Sequence, residues 1–372
     1  MSGGEAVSAV APPLALRIAT VYRCVSLISE SVATLPLRHE MKVGGIFTPK
    51  EDSLTRLLSL QPNEWTSAYD FWNAAQSYVT LYGESYIVPQ YDVFNELKRL
   101  ILIRPGMASP TTRIGEYQVS DTEQGVKGIF REEDIIRLKG MSLDGVNCVS
   151  VLRYAANVTS IAATSDRNVL QNFANGGAPL GILTNEKGTP GYGELQTAVL
   201  EGAAQRISRA LHSGDRLTAL GGKWDYIPFT MTAADMQFLE SRKFTVQEIC
   251  RFFGVDPIYV FEQSAQNYKS VEMANVAFFS HTIKPKLRQI ENELNRKLHV
   301  PGRVRFDLDG IYDTDLNGRM AYIEKRVQTG TMTPNEARAL MGLQPVEGGD
   351  KIYLSANLKS MNEFIGNGEK QD

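Results

Sequence analysis

A chain of 372 residues with 43% hydrophobic and 22% charged side chains carries enough apolar surface for two or three packed units, which excludes disulfide-stapled miniproteins, wholesale disorder and collagen-like repeats. Its formal charge of −3, from 39 basic and 42 acidic residues, has the wrong sign for a protein whose affinity comes from neutralising phosphates. The three cysteines, Cys24, Cys148 and Cys250, form no C-x-x-C pair and read as buried thiols of a reducing cytoplasm.

Residues 1–16 are small and apolar without period, the pattern of a loose arm. Val21, Val25, Ile28, Val32 and Leu35 then recur at 4-3-4-3 and meet Pro36, which predicts a helix ending there. After Pro62 and Asn63 a second helix is predicted, capped by Thr66 or Ser67, with Phe71, Trp72, Ala75, Tyr78 and Tyr82 on one face and Gly83 as terminator. From about 84 to 140 the pattern turns to strand-like runs, Ser85–Val88, Leu100–Ile103 and Ile135–Leu138, around a loop-rich stretch from Arg104 to Gly128.

Val149 to Gly176 lacks proline and is rich in alanine, so it predicts one helix of about 27 residues, a strut about 40 Å long. A small insert follows: a strand-like run Leu180–Leu183, a helix from about Gly193 to His212, and strand-like runs at Leu217–Leu220 and Trp224–Phe229. The insert helix carries Glu194 and Glu201 early and Arg206 and Arg209 late, the order its dipole favours, so these arginines need no nucleic-acid partner. A second long helix runs from Thr232, with Asp235 as capping-box partner, to Gly254; its face reads Met236, Leu239, Val246, Cys250 and Phe253, with Lys243 where an apolar residue belongs. Asp256 to Ser270 is a polar, nearly uncharged loop with Lys269 as its one basic residue. Val271 to Leu298 is helical in character and interrupted by Pro285, Arg303–Leu308 alternates like a strand, and two short helices precede a polar end after Ser355.

Chemistry-bearing motifs are scarce. G-x-x-x-x-G-K-[ST], G-x-S-x-G, H-E-x-x-H and G-x-G-x-x-G are all missing, and His39, His212, His281 and His299 show no helical pairing, so no enzyme, cofactor or metal is expected. Asp307 and Asp309 share one strand face and could hold a cation, but the run through Asp313 and Asp315 fails the EF-hand spacing, and Asp313 or Thr314 is a natural helix cap. The sequon Asn157-Val-Thr lies inside the predicted strut, where chance is the better account. No segment reaches the roughly 18 uncharged apolar residues of a membrane span, and the first basic residue is Arg17, so neither secretion nor anchoring is signalled.

Two stretches look like helix-turn-helix sequence, Phe244 to Asp256 and Thr333 to Leu343. A base-reading helix needs Arg, Lys, Asn or Gln after the turn, whereas Asp256 to Glu262 offers Asp, Pro, Ile, Tyr, Val, Phe and Glu. A plain helix corner is the stronger reading there, and Thr333, Pro334, Glu336 and Gly342 are complete as structural signals alone; a helix-turn-helix DNA-binding regulator is the alternative.

Five fragments in order are similar to the HK97-like portal family of tailed bacteriophages. They are Leu60-Gln-Pro-Asn-Glu-Trp-Thr with Phe71-Trp72 and Leu81-Tyr-Gly-Glu-Ser-Tyr86; Asn175-Gly-Gly-Ala-Pro-Leu-Gly-Ile-Leu183; Leu220-Gly-Gly-Lys-Trp224; Glu248-Ile-Cys-Arg-Phe-Phe-Gly-Val-Asp-Pro257; and Gly330-Thr-Met-Thr-Pro-Asn-Glu-Ala-Arg338 through Gly348-Gly-Asp350. Together they cover about residues 20 to 352. Gly83-Glu84-Ser85 stands where the family usually shows Gly-Asn-Ala, Asp256 precedes Pro257 where proline is usual, and the C-terminal tail is short.

The resemblance implies an α+β portal fold: an α/β wing (1–148), stem helix one (149–177), a small α/β clip inserted between the stem helices (178–231), stem helix two (232–255), a tunnel loop (256–270), a wing return helix and strand (271–310), and a short helical crown with a flexible tail (311–372). It further implies a virion protein, assembled in the host cytoplasm, that forms a dodecameric ring at one capsid vertex. Its partners are then the major capsid protein, the terminase large subunit, a head-tail adaptor and double-stranded DNA in transit, with no membrane. Twelve copies at −3 each carry about −36, a field that repels a passing polyanion. Gln263, Ser264, Gln266, Asn267 and Tyr268 are therefore expected to form a sequence-blind polar collar around DNA, with Lys269 as the transient phosphate partner, unless the loop is only a solvated connector. For the ring interface, the small-residue face of 149–176 against a neighbour's 232–254 helix is the candidate; packing of the two helices within one chain is the equal alternative.

Overall fold

In a computed structural model that describes residues 10–174, 181–185, 205, 224–228, 233–261, 268–308 and 316–353, the 4-3-4-3 spacing folds as the helix Ala19–Ala33. It buries Val21, Cys24, Val25, Ile28 and Val32. The second expected helix is Ala68–Tyr82, with Ser67 rather than Thr66 as cap, accepting from Asp70 N at 3.1 Å. It ends at Gly83, whose φ of 92° admits glycine readily; a Cβ there would also lie 2.8 Å from Ser150 N. Phe71, Trp72 and Ala75 are buried, and the Trp72 indole donates to Leu58 O at 3.0 Å. By contact the chain divides into two units, Met1–Arg305 and Phe306–Asp372.

In the first unit all three expected strand runs join one antiparallel sheet, in the order Leu97–Ile103, Glu84–Tyr91, Ile136–Lys139. The stretch Arg104 to Gly128 is a correction: it holds a meander of Ala108–Pro110, Glu116–Asp121 and Val126–Arg131 rather than mostly loop. Its strands are short and interrupted by turn residues, yet Tyr117, Val119 and Val126 close over Tyr86, Val88, Ile101, Ile103 and Ile135 in one apolar cluster. Among the elements that carried no expectation are the hairpin Leu37–Val43 with Ile46–Lys50, the ladder Met141–Ser142 with Cys148–Val149, and the helix Ser53–Ser59, which Asp52 caps through Thr55 N at 3.0 Å; the expected loose arm 1–16 is corrected in part, since Pro12–Ala15 forms one helical turn that buries Ala15. Strand Arg303–Phe306 completes the hairpin's sheet.

Val149 to Gly176 is not one helix. Ser150 caps a single turn, Val151–Tyr154, Ala155 breaks it at ψ 13°, and the main helix is Ala156–Ala174. The break leaves both Leu152 and Ala155 buried, a packing demand that alanine-rich periodicity cannot reveal. Within the insert, Gly181–Asn185 pairs antiparallel with Trp224–Pro228; the expected strand Leu217–Leu220 and, apart from helical Gln205, the expected helix 193–212 lie outside the described residues. The second long helix is Ala233–Phe253, with Lys243 exposed. It packs on Ala156–Ala174 of its own chain: Arg242 Nη2 reaches Asp166 Oδ1 at 2.7 Å, beside a cleft of about 90 Å³ lined by Ala162, Ser165, Thr245 and Val246.

The following helix starts at Tyr268, not Val271, and runs Tyr268–Ala277, then widens into a π-helical segment, Phe278–Ile283, before Lys284–Lys297. Pro285 accounts for the interruption, because its ring removes one N–H and crowds the preceding turn. Lys284–Lys297 covers the sheet: Gln289 Nε2 donates to Lys139 O at 2.6 Å, and Lys297 Nζ, 2% exposed, bonds Ile135 O at 2.6 Å and Glu132 Oε1 at 2.8 Å.

Burial alone would raise the Glu132 carboxyl, but hydrogen bonds from Lys297, Tyr117 and Arg296 hold it at about 2, below its ordinary 4.5. A depressed carboxyl stabilises fully above its unfolded value and loses that contribution as pH falls toward the folded one. About 2 kcal/mol should therefore disappear between about pH 6 and about pH 2, after allowance for a partly exposed side chain. Urea midpoints across that range should fall for the parent and fall less for Glu132→Gln; parallel curves would remove this carboxylate from the acid response.

The second unit contains Leu316–Gln328 and Pro334–Leu340, the latter with the expected capping box between Thr333 and Glu336. Asn335, 9% exposed, plugs the segment that follows: its side chain donates to Val346 O at 3.0 Å and Asp350 Oδ1 at 2.8 Å and accepts from Val346 N at 2.8 Å. Gly349 leaves room for it, since a Cβ there would lie 2.3 Å from Asn335 Oδ1. Thr333-Pro-Asn and Gly348-Gly-Asp350 are thus two halves of one local lock.

Candidate nucleic-acid interface

Helix Ala233–Phe253 stops in a Schellman closure: Gly254 takes φ 67°, its N–H donates to Arg251 O at 3.2 Å, and Val255 N–H reaches Cys250 O at 3.0 Å. Asp256 then caps a single 3-10 turn, Pro257–Val260, by accepting from Ile258 N at 3.0 Å. Phe261 follows at φ 61° with 87% of its surface exposed. A bulky side chain in left-handed backbone costs roughly 1–2 kcal/mol, so the surrounding structure must hold it there.

The segment expected as loop from 256 to 270 is therefore shorter. Pro257 is preset for the first position of a turn, and Tyr268 and Lys269 already stand on the first turn of Tyr268–Ala277. Gln263, Ser264, Gln266 and Asn267 lie outside the described residues, as do the side chains of Tyr268 and Lys269.

Both flanks are tied down. Arg23 Nε, from helix Ala19–Ala33, donates to Tyr259 O at 3.1 Å, and the Tyr259 hydroxyl donates to Asn275 Oδ1 at 2.5 Å. The Tyr259 and Phe278 rings lie 5.2 Å apart between centroids, and burial with the nearby Asp256 carboxylate pushes the Tyr259 phenol up. Thr282 Oγ1 donates to Gly254 O at 2.5 Å. Chemically the arrangement ties Gly254 and Tyr259 to the helix that follows, through Thr282 and Asn275. Periodicity did not single out Arg23, Tyr259, Phe261 or Thr282, because a partner more than two hundred residues away, or a left-handed aromatic, leaves no local pattern.

Other candidate sites are weaker. A base-reading helix needs several turns directly after Gly254, and one 3-10 turn stands there instead. On Pro334–Leu340, Asn335 is spent on Val346 and Asp350, and Arg338 Nε on Gln344 O at 2.7 Å. Asp307 is half-buried while Asp309, Asp313 and Asp315 lie outside the described residues; among the described residues no three His, Cys, Asp or Glu side chains converge. No described helix is long and apolar enough to cross a membrane.

Comparison with known proteins agrees with this architecture. The family model described as phage portal protein matches residues 19–342. The portal protein of Enterobacteria phage HK97 is 26% identical over 375 residues, covering 96% of this chain and 86% of that protein. The probable portal protein of Streptomyces phage phiC31 is 26% identical over 387 residues, 97% of this chain and 82% of that one. Among solved structures, an HK97 family phage portal protein from Corynebacterium diphtheriae aligns with a TM-score of 0.56 at 16% identity, over 84% of this chain and 99% of that one. A chain from the neck of an empty gene transfer agent particle aligns with a TM-score of 0.61 at 20% identity, over 92% and 97%. At such identities the structural likeness establishes the mixed helix-and-strand fold, while the family match spans most of the sequence: the chain belongs to the phage portal protein family.

Proposed function

We propose that this chain is the portal subunit of a phage head, a non-enzymatic protein that closes with its copies into a ring, expected to be a dodecamer, at one capsid vertex. DNA enters and leaves through the central opening. In this reading residues 1–148 and 271–310 build the wing, 149–177 and 232–255 the stem, 178–231 the clip and 311–372 the crown and tail. The clip meets the terminase large subunit during packaging and a head-tail adaptor afterwards, and the wing meets the major capsid protein.

One observation carries the channel role: a short polar segment, 262–267, is held at both flanks by buried or bonded anchors, Gly254 to Thr282 and Tyr259 to Arg23 and Asn275. By sequence, the segment offers amides and a hydroxyl and no cation. The net charge of −3 agrees with a lining that lets a polyanion slide. Gln263, Ser264, Gln266, Asn267 and Tyr268 are the collar, and Lys269 makes the passing phosphate contact.

Purified protein should form particles near half a megadalton, twelve copies of 41.2 kDa giving about 494 kDa, with end-on images showing a hole wider than a duplex. A DNA-binding dimer, or particles closed at the centre both alone and in heads, would overturn this function.

A further inference from the structure

We propose that Cys24 and Cys250 are a dithiol that closes to an intrachain disulfide when the protein leaves a reducing compartment, stapling helix Ala19–Ala33 to the end of helix Ala233–Phe253. Both cysteines are free and fully buried, and they sit beside each other across the packed helices, near enough for the Cys250 thiol to raise the Cys24 thiol. The same contact brings Ile18, Ala19 and Thr20, one turn before Cys24, against Thr245, Val246 and Ile249, which lead into Cys250. Two thiols that face each other in one dry helix contact need little backbone movement to bond.

The Cys250 thiol beside it, and then burial, pushes the Cys24 thiol up, so the closed structure holds little thiolate and resists casual oxidation. Closure therefore waits for a local opening of the helix pair. A low-molecular-weight disulfide such as oxidised glutathione serves as oxidant. One cysteine thiolate attacks it and expels a glutathione thiolate; the second then attacks the mixed disulfide and expels the other. Two protein thiols are oxidised, one glutathione disulfide is reduced to two thiols, and the protons pass to water.

The position gives the bond a consequence. Cys250 supplies the carbonyl that closes the Schellman turn, and Arg23, the neighbour of Cys24, holds Tyr259 O. A bond between the two cysteines joins both supports of the near flank of 262–267. The chemistry itself stands whether or not that segment lines a channel.

The full chain would be incubated with oxidised glutathione, quenched in acid, alkylated after unfolding and peptide-mapped by mass spectrometry. Two of the three thiols should disappear into a Cys24–Cys250 linked peptide while Cys148 never joins it. The oxidised protein should show a higher urea midpoint that returns to the starting value with dithiothreitol. Cys250→Ser, which keeps a small polar group in place, should show no linked peptide and no reversible shift. Complete modification of Cys148 while Cys24 and Cys250 stay fully alkylatable would overturn the proposal, as would a midpoint shift of the same size in Cys250→Ser.

Discussion

Glu84→Ala should lower the free energy of unfolding by about 3 to 5 kcal/mol, the range for stripping one partner from a buried ion pair. Arg137 is 2% exposed, and its guanidinium donates twice to Glu84 Oε2, from Nη2 at 2.6 Å and Nε at 3.0 Å. The rings of Tyr86 and Tyr117 flank it at 5.6 and 5.4 Å. They contribute only a fraction of what a carboxylate does. Without Glu84 the charge stays in the core beside Tyr117 and a thiol, because Arg cannot shed its proton. Glu84→Gln keeps an acceptor and should cost about half as much, while Glu84→Leu with Arg137→Met should recover most of the loss. Urea unfolding of the four proteins tests this. A Glu84→Ala cost below about 1 kcal/mol would mean that Arg137 finds water after all. The glutamate also gives a physical reason for the departure from Gly-Asn-Ala at Gly83-Glu84-Ser85: it neutralises an arginine held under the sheet.

Arginine at Gln263, Ser264, Gln266 and Asn267 should cut DNA packaging by about tenfold or more in heads assembled with the variant, and raising the salt concentration should restore part of it. Each new guanidinium offers a phosphate contact, and each contact adds a counterion-release step to every advance of the duplex. Alanine at the same four positions removes hydrogen bonds without adding charge and should be far milder. Packaging kinetics of the parent, the arginine and the alanine variants separate a lining from a bystander. Equal rates for all three would reduce the segment to a connector while leaving ring formation untouched.

Helices that bury one face were legible because their spacing is local: Val21 to Val32, and Phe71 to Ala75 between Ser67 and Gly83, fold as the pattern requires. The strands of Arg104 to Gly128 were not, since Tyr117, Val119 and Val126 are too few and too broken by turns to announce a sheet before its partners are known. At the break, Leu152 and Ala155 are both buried, and no residue there disfavours helix, so the spacing alone could not announce it. For the segment after Gly254, composition pointed to a polar, weakly charged stretch. Its supports came from Arg23 and Thr282, and nothing in the spacing of a sequence pairs position 23 with 259 or 254 with 282.

The widened turn at Phe278–Ile283 itself carries the grip on Gly254, through Thr282, and leads directly into the helix Lys284–Lys297 that lies on the sheet. A π-helical turn of this kind is a recognised place for a helix to kink. A pull on Gly254 therefore reaches this joint at Thr282, just before the helix whose Gln289 and Lys297 hold the sheet.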